Sequence, residues 1–287
     1  MIVDKIVKRE NNNLKNKKSK IDIPVGKWIK CEACKEILYK ESVRENYSIC
    51  PNCGHYFRMH INKRLESTID EGTYKRFNLN LDTVNPLNLE DYPKKLKVLR
   101  EKTKIEEAVA CGTGKINGED VVICVMDSGF MMGSMGAVVG EKITYSIEQA
   151  IKLKLPFIMF AVSGGARMQE GIISLMQMAK TTAALTKLDN ARTFIYIYIN
   201  WPNIWRCYSI ICKFGRYYTC WARSNDRICG KKSNRANNWR KLPEGFQTAE
   251  FLLEHGFIDK IVKREEMKET LYKLIMYHKG GKSNGRK

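Results

Sequence analysis

Residues 156–180, PFIMFAVSGGARMQEGIISLMQMAK, constrain the fold more than any other stretch of this 287-residue chain. Pro156 opens an unbroken apolar run from Phe157 to Val162, short enough for a strand buried on both faces. Ser163-Gly164-Gly165 interrupts it, and from Ala166 the spacing turns helical, with Ile172, Leu175, Met176 and Ala179 recurring on one face. A strand that turns through two glycines into a helix leaves amide N–H groups unpaired at the turn. With the positive end of the helix dipole, those groups suit an anion or an oxyanion. Glycine there lets a substrate carbonyl approach the backbone closely. A turn that serves packing alone would carry the same residues.

The pattern continues on either side. Residues 62–71 and 92–108 read as helices, Asp120–Met126 as a strand after the Asn117-Gly118 turn, and Gly136–Leu153 as a helix. Further on, Thr248–His255 reads as a short helix closed by Gly256, Phe257–Val262 as a last strand and Glu265–His278 as an amphipathic helix. Alternating strands and helices argue for an α/β core. No run of about 18 apolar residues predicts a membrane span. The start, MIVDKIVKRENNNLKNKKSK, is polar and lysine-rich, unlike a secretory signal, and a cytoplasmic location is expected.

Residues 1–26 read as a basic flexible arm, 27–60 as a cysteine module and 61–287 as the main domain. Within the module, Cys31-x-x-Cys34 and Cys50-x-x-Cys53 are two knuckles separated by fifteen residues. Each turns two sulfurs toward one point, and the spacing predicts a four-thiolate structural Zn2+ site. A redox pair would need only one such knuckle in a thioredoxin-like setting. Four thiolates close the coordination shell, so His55 and His60 are expected to be surface or packing residues, and Cys111 and Cys124 small core side chains.

The formal net charge of +19 raises a nucleic-acid reading. Its distribution weakens that reading, since residues 192–240 alone carry ten Lys/Arg against one acid. Near the ribbon, Lys27, Lys30, Lys35, Lys40, Arg44, Arg58, Lys63 and Arg64 are candidates for phosphate contact, for weak nucleic-acid binding, or for a solvated face.

Taken together, the ribbon, Trp28, Gly133-Ser134-Met135-Gly136, Val139-Gly140-Glu141-Lys142, Ser163 to Gly171 and Lys241-Leu242-Pro243-Glu244-Gly245-Phe246 resemble the carboxyltransferase beta subunits of bacterial acetyl-CoA carboxylases. The resemblance covers about residues 24–191 and 241–275. It implies a crotonase-like spiral of ββα units behind the zinc ribbon, and transfer of carboxylate from carboxybiotin to acetyl-CoA, giving malonyl-CoA. It implies an alpha subunit in an α2β2 assembly. Biotin would be supplied in trans on a biotin carboxyl carrier protein, charged by an ATP-using biotin carboxylase. In that reading Gly164 and Gly165 form a backbone oxyanion hole for the acetyl enolate, and the biotin ureido nitrogen serves as base. Gly133, Ser134, Gly136, Ser163, Ala166 and Arg167 fall in the substrate-binding wall. Arg167 either orients the turn, reaches a phosphate, or pairs with Glu170. Met132 stands where the family carries glycine. The acyl-CoA subunit of another biotin-dependent carboxylase or decarboxylase is the alternative enzyme reading.

Residues 192–240 fall out of the family register, with four of the five tryptophans, four of the ten cysteines and few traceable periods. A one-base frame offset accounts for this. Asn203-Ile204-Trp205-Arg206-Cys207-Tyr208, encoded AAC ATA TGG AGG TGT TAC, becomes Thr-Tyr-Gly-Gly-Val when read one base later. Ile228-Cys229-Gly230-Lys231-Lys232 likewise becomes Phe-Ala-Gly-Arg-Arg. Compensating single-base changes are expected near Ala191/Arg192 and Arg240/Lys241. The block should hold a second Gly-Gly turn, so a chain of this literal sequence is expected to be poorly soluble and inactive.

Overall fold

Side chains alternate along residues 157–161, and this alternation sets the layers: Phe157, Met159 and Ala161 join one apolar core, Ile158 and Phe160 another. The computed structural model of the protein describes residues 26–162, 165–199, 217–220 and 249–280. The arm, Ser163, Gly164 and the remainder of the block out of register lie outside the described residues.

The cysteine module holds a two-stranded hairpin, β1 (Trp28–Lys30) and β2 (Ile37–Tyr39), followed by α1 (Lys40–Glu45). Helix α2 (Ile61–Thr68) begins the main domain. Its seven-stranded sheet runs in chain order: β3 (Lys75–Arg76), β4 (Val109–Ile116), β5 (Glu119–Met126), β6 (Phe157–Ala161), β7 (Ile195–Ile199), β8 (Tyr217–Cys220) and β9 (Lys260–Ile261). β3, β4 and β5 pair antiparallel, and from β5 to β9 every pairing is parallel. The β4–β5 hairpin turns through Asn117 and Gly118, both at positive φ, as a two-residue loop requires. Cys111 and Cys124 face each other across this hairpin, buried, with sulfurs 3.0 Å apart.

One face of the sheet is covered by α3 (Asp91–Thr103), α4 (Ala137–Leu153), α5 (Ile172–Asn190) and α6 (Ala249–Glu254). Tyr92, Leu96, Ile143, Ile147, Leu185 and Leu252 supply that layer. The other face is covered by α2 and α7 (Met267–Gly280) through Ile61, Leu65, Met267, Leu271 and Ile275. Arg264 ties the ribbon down, donating to the carbonyls of Tyr47 (2.8 Å), Ser48 (2.9 Å) and Phe57 (2.7 Å).

Four local expectations are corrected. The helix expected over 92–108 stops at Thr103, because Lys104 takes a left-handed conformation and residues 105–108 lead into β4. The last strand is only Lys260–Ile261. Helix α5 starts at Ile172 rather than Ala166, because Ala166 bridges to Met135 and Met168–Glu170 form a separate 3-10 turn. The apolar stripe of α5 points outward, with Ile172 68%, Leu175 41% and Met176 58% exposed. Ser174, Gln177, Thr181, Ala184, Leu185 and Leu188 are buried instead. The close approach of α4 explains that choice: a Cβ on Gly140 would lie 2.2 Å from Gln177 Oε1. Order is also present inside the block expected to lack it. In β7, Ile195 and Ile197 enter one core and Tyr196 and Tyr198 the other, so its alternation suits a central strand.

Candidate functional site

The four knuckle cysteines converge. Cys31, Cys34, Cys50 and Cys53 place their sulfurs within 4.8 Å of one another, with Cys31–Cys53 at 3.7 Å and Cys34–Cys50 at 3.8 Å. Sulfurs tetrahedral about zinc at ~2.3 Å sit about 3.8 Å apart, so the donor set fits that ion. The two knuckles repeat one geometry. Lys35 N donates to Cys31 O at 3.0 Å and Gly54 N to Cys50 O at 2.9 Å, and both Lys35 and Gly54 have positive φ. Burial raises the Cys31 thiol, but amides of Cys34 and Ala33 more than offset this and bring it down to about 7. His55 packs edge-on against Phe57, and His60 caps α2 by accepting from Asn62 N at 3.3 Å; neither belongs to the cluster.

At the C-terminal end of β6 two glycine loops are joined. Met135 N donates to Gly165 O at 2.8 Å and Arg167 N to Met135 O at 2.9 Å, so residues 165–167 run alongside residue 135 like a short parallel pair. Gly165 is buried with φ +100°, a conformation for glycine. Gly133, at φ +70°, has no room for a side chain, since a Cβ would lie 2.4 Å from Val162 O. A Cβ on Gly136 would meet Glu170 Oε1 at the same distance, 2.4 Å. Met132 also adopts a left-handed conformation, φ +57°, where the residue type is unsuited to it. Of the predicted wall, Gly133, Ser134, Gly136, Ala166 and Arg167 come together, beside Gly165 of the predicted oxyanion hole; Ser163 and Gly164 lie outside the described residues.

Behind the loops is a buried ionic network. Arg167 donates to both oxygens of Glu107 (2.6 and 2.9 Å), to Glu170 (3.3 Å), to Tyr92 Oη (3.4 Å), and to Ser134 O (3.0 Å) and Oγ (3.3 Å). Tyr92 Oη donates to Glu170 Oε1 at 2.7 Å, while Ala137 N donates to Glu170 Oε2 at 2.5 Å. Burial pulls the Arg167 guanidinium down, but Glu107 more than compensates and holds it firmly charged. Burial pushes the Tyr92 phenol up, keeping it a neutral donor.

This network decides among the three readings of Arg167 and corrects one expectation. Arg167 is fully buried and pairs with Glu170, as well as with Glu107, so it orients the loops and does not reach out to a phosphate. The helix dipole expected to help seat an anion beside the Gly-Gly turn is not that of α5, whose first turn starts seven residues beyond Gly165. The helix that begins beside the loops is α4, and Glu170 already occupies its N-terminus. Glu107 and Tyr92 were not apparent from the sequence; the only signal was an acidic pair, Glu106-Glu107, at the mouth of an apolar run.

Comparison with known proteins matches this geometry. A family model described as acetyl-CoA carboxylase zinc finger domain matches residues 28–53, and one described as carboxyl transferase domain matches residues 77–204. The second match ends at residue 204, inside the block that falls out of register, and includes β7. The acetyl-coenzyme A carboxylase carboxyl transferase subunit beta of Clostridium botulinum (strain Kyoto / Type A2) is 46% identical over 256 residues, 89% of each chain. That of Clostridium kluyveri (strain ATCC 8527) is 44% identical over 262 residues, 91% of this chain and 90% of the relative. Among solved structures, transcarboxylase 12S with hydrolyzed methylmalonyl-coenzyme A bound superposes with TM-score 0.62 at 20% identity, over 76% of this chain and 41% of that one. The Pseudomonas malonate decarboxylase MdcD-MdcE hetero-dimer gives 0.59 at 18% identity, over 76% of this chain and 86% of that one. The fold is accordingly the crotonase-like α/β fold of carboxyl transferases, behind a zinc ribbon.

Proposed function

The chain belongs to the family of acetyl-CoA carboxylase carboxyl transferase beta subunits, and from that premise we propose how its glycine loops act on acetyl-CoA. Loss of a methyl proton from the thioester leaves an enolate whose charge rests on oxygen. Amides at Gly164 and Gly165 stabilise that oxygen; carboxybiotin would supply the carboxylate as its N–C bond breaks, its ureido nitrogen would take the methyl proton, and the new carbon–carbon bond gives malonyl-CoA. The observation that carries this reading is Gly165: buried, at positive φ, and fixed through its carbonyl by Met135, so that the turn is preorganised. The C-terminal ends of parallel strands are also where open α/β sheets bind ligands.

Gly133, Ser134, Gly136, Ser163 and Ala166 form the adjoining wall, while Arg167 positions it through Glu107 and Glu170. Biotin, carried in trans after charging by a biotin carboxylase, supplies the activated carboxylate. The outward apolar stripe of Met168, Ile172, Leu175 and Met176 supports an alpha-subunit contact at this edge, within an α2β2 assembly. Zinc holds the ribbon and takes no part in the transfer. Among the described residues no helix is long and apolar enough to cross a membrane.

The test is carboxyl transfer by the chain reconstituted with an alpha subunit and biotin carrier, using a panel of acyl-CoA substrates. Two forms are compared: the chain as written, and one with residues 192–240 restored to the shifted frame. The restored form is expected to favour acetyl-CoA, and the written form to be poorly soluble and inactive for want of the second glycine turn. Failure of the restored form overturns the reading of the glycine loops, and preference for a longer acyl group overturns acetyl-CoA as the substrate. Equal activity of the two forms overturns the frame offset.

A further inference from the structure

A cavity of about 560 Å3 opens between the ribbon and α2, and no glycine-loop residue lines it. Its wall is apolar and aromatic, built from Ile29, Tyr39, Val43 and Phe57. Around that wall stand Lys27, Lys40, Arg44, Arg58 and Lys63, with His60, against a single acid, Glu41. The cations come from the hairpin, α1, the second knuckle and α2, so the cluster exists only once the ribbon docks.

Two of these charges, those of Lys27 and Lys40, are not neutralised among the described residues. Lys27 and Lys40 are neighbours across the hairpin end, where Lys40 N donates to Lys27 O at 2.8 Å. Neither ammonium makes an ion pair or hydrogen bond among the described residues. Arg44 lies 3.8 Å from Glu41 and from Glu66, and Lys63 lies 3.6 Å from Glu66, all beyond hydrogen-bonding distance. Holding like charges together costs energy that a bound anion would recover. The volume is that of a small-molecule site, and an aromatic wall below a cationic rim matches a base above and phosphates beside it.

We propose that this cavity binds a nucleotide bearing two or more phosphates. The same chemistry is carried by the 3′-phospho-ADP end of a CoA ester and by a free nucleotide. His60, part of the lining, sits 3.7 Å from the Asp127 carboxylate. That carboxylate accepts from Ile61 N (3.1 Å) and Gly129 N (2.7 Å), at the head of the segment leading to Gly133. The inference does not depend on carboxyl transfer.

Equilibrium dialysis of radiolabelled adenosine 3′,5′-bisphosphate against the zinc-loaded full chain, and against its frame-restored form, tests it. One saturable site per chain is expected, with no binding of unphosphorylated adenosine. The double variant K27A/K40A, exposed and outside both cores, should bind about tenfold more weakly at unchanged zinc content, with K27R/K40R restoring affinity. Full displacement by acetyl-CoA assigns the site to the substrate's own tail, and binding that persists under saturating acetyl-CoA assigns it to a separate nucleotide. The proposal is overturned by absence of saturable binding, by K27A/K40A binding as the parent does, or by an RNA oligonucleotide binding where the mononucleotide does not.

Discussion

The ribbon and the α/β domain are held together by opposite means. The ribbon's buried cluster is Cys31, Leu38, Val43 and Cys50, so half of its core consists of metal ligands. The domain sandwiches its sheet between two apolar layers, and places a dense set of buried charges behind the glycine loops. Metal dictates the shape of the first, whereas the second has apolar burial to spare and can keep an ionic clamp where the site needs fixed geometry. Arg264 is the joint between them.

Zinc removal should break the comparison most visibly. Structural zinc is worth ~10–16 kcal/mol to domains of this kind, so a chelator or C31S should unfold the ribbon while the α/β core stays folded. Zinc release followed together with near-ultraviolet circular dichroism separates the two; joint unfolding would show that the domain leans on the ribbon. Next in size is R167M, which strands the Glu107 and Glu170 carboxylates in a buried site. A loss of about 3–5 kcal/mol is expected from denaturant titration, confined to the α/β transition. A loss under about 1 kcal/mol would mean the network is not the clamp described.

The next effect has the opposite sign. Met132 adopts a left-handed conformation without the freedom of glycine, so M132G should raise stability by ~1 kcal/mol, read as a shift in denaturant midpoint. Smallest is Asp70. Burial raises its carboxyl, but Lys268 and the amides of Gly118 and Asn117 more than offset this, so its pKa falls below the ordinary 3.8 on folding. A depressed folded pKa contributes stability above the unfolded value, lost as pH falls through the folded one. D70N should therefore cost ~1 kcal/mol at neutral pH and flatten the acid limb below about pH 4.

Local patterns were legible in the sequence, and long-range choices were not. Phe157–Ala161, the Asn117-Gly118 turn, α4 and the four cysteines each declare themselves within a few residues. The start and facing of α5 did not, because Gly140 of another helix decides which side of α5 is buried. Glu107 was hidden for a similar reason: its partner Arg167 is sixty residues away, and no local period marks an ion pair. In β7, basic and aromatic surroundings masked a five-residue alternation that pairing with β6 makes unambiguous.

The central claim is that the loop turning at Gly165 provides the donors for the acetyl enolate. It is tested most directly by the steady-state kinetics of G165A in the frame-restored chain assembled with an alpha subunit, normalised to folded, zinc-bound protein. The account predicts that kcat falls by about 10²–10³ while KM for acetyl-CoA changes little. An unchanged kcat would contradict it.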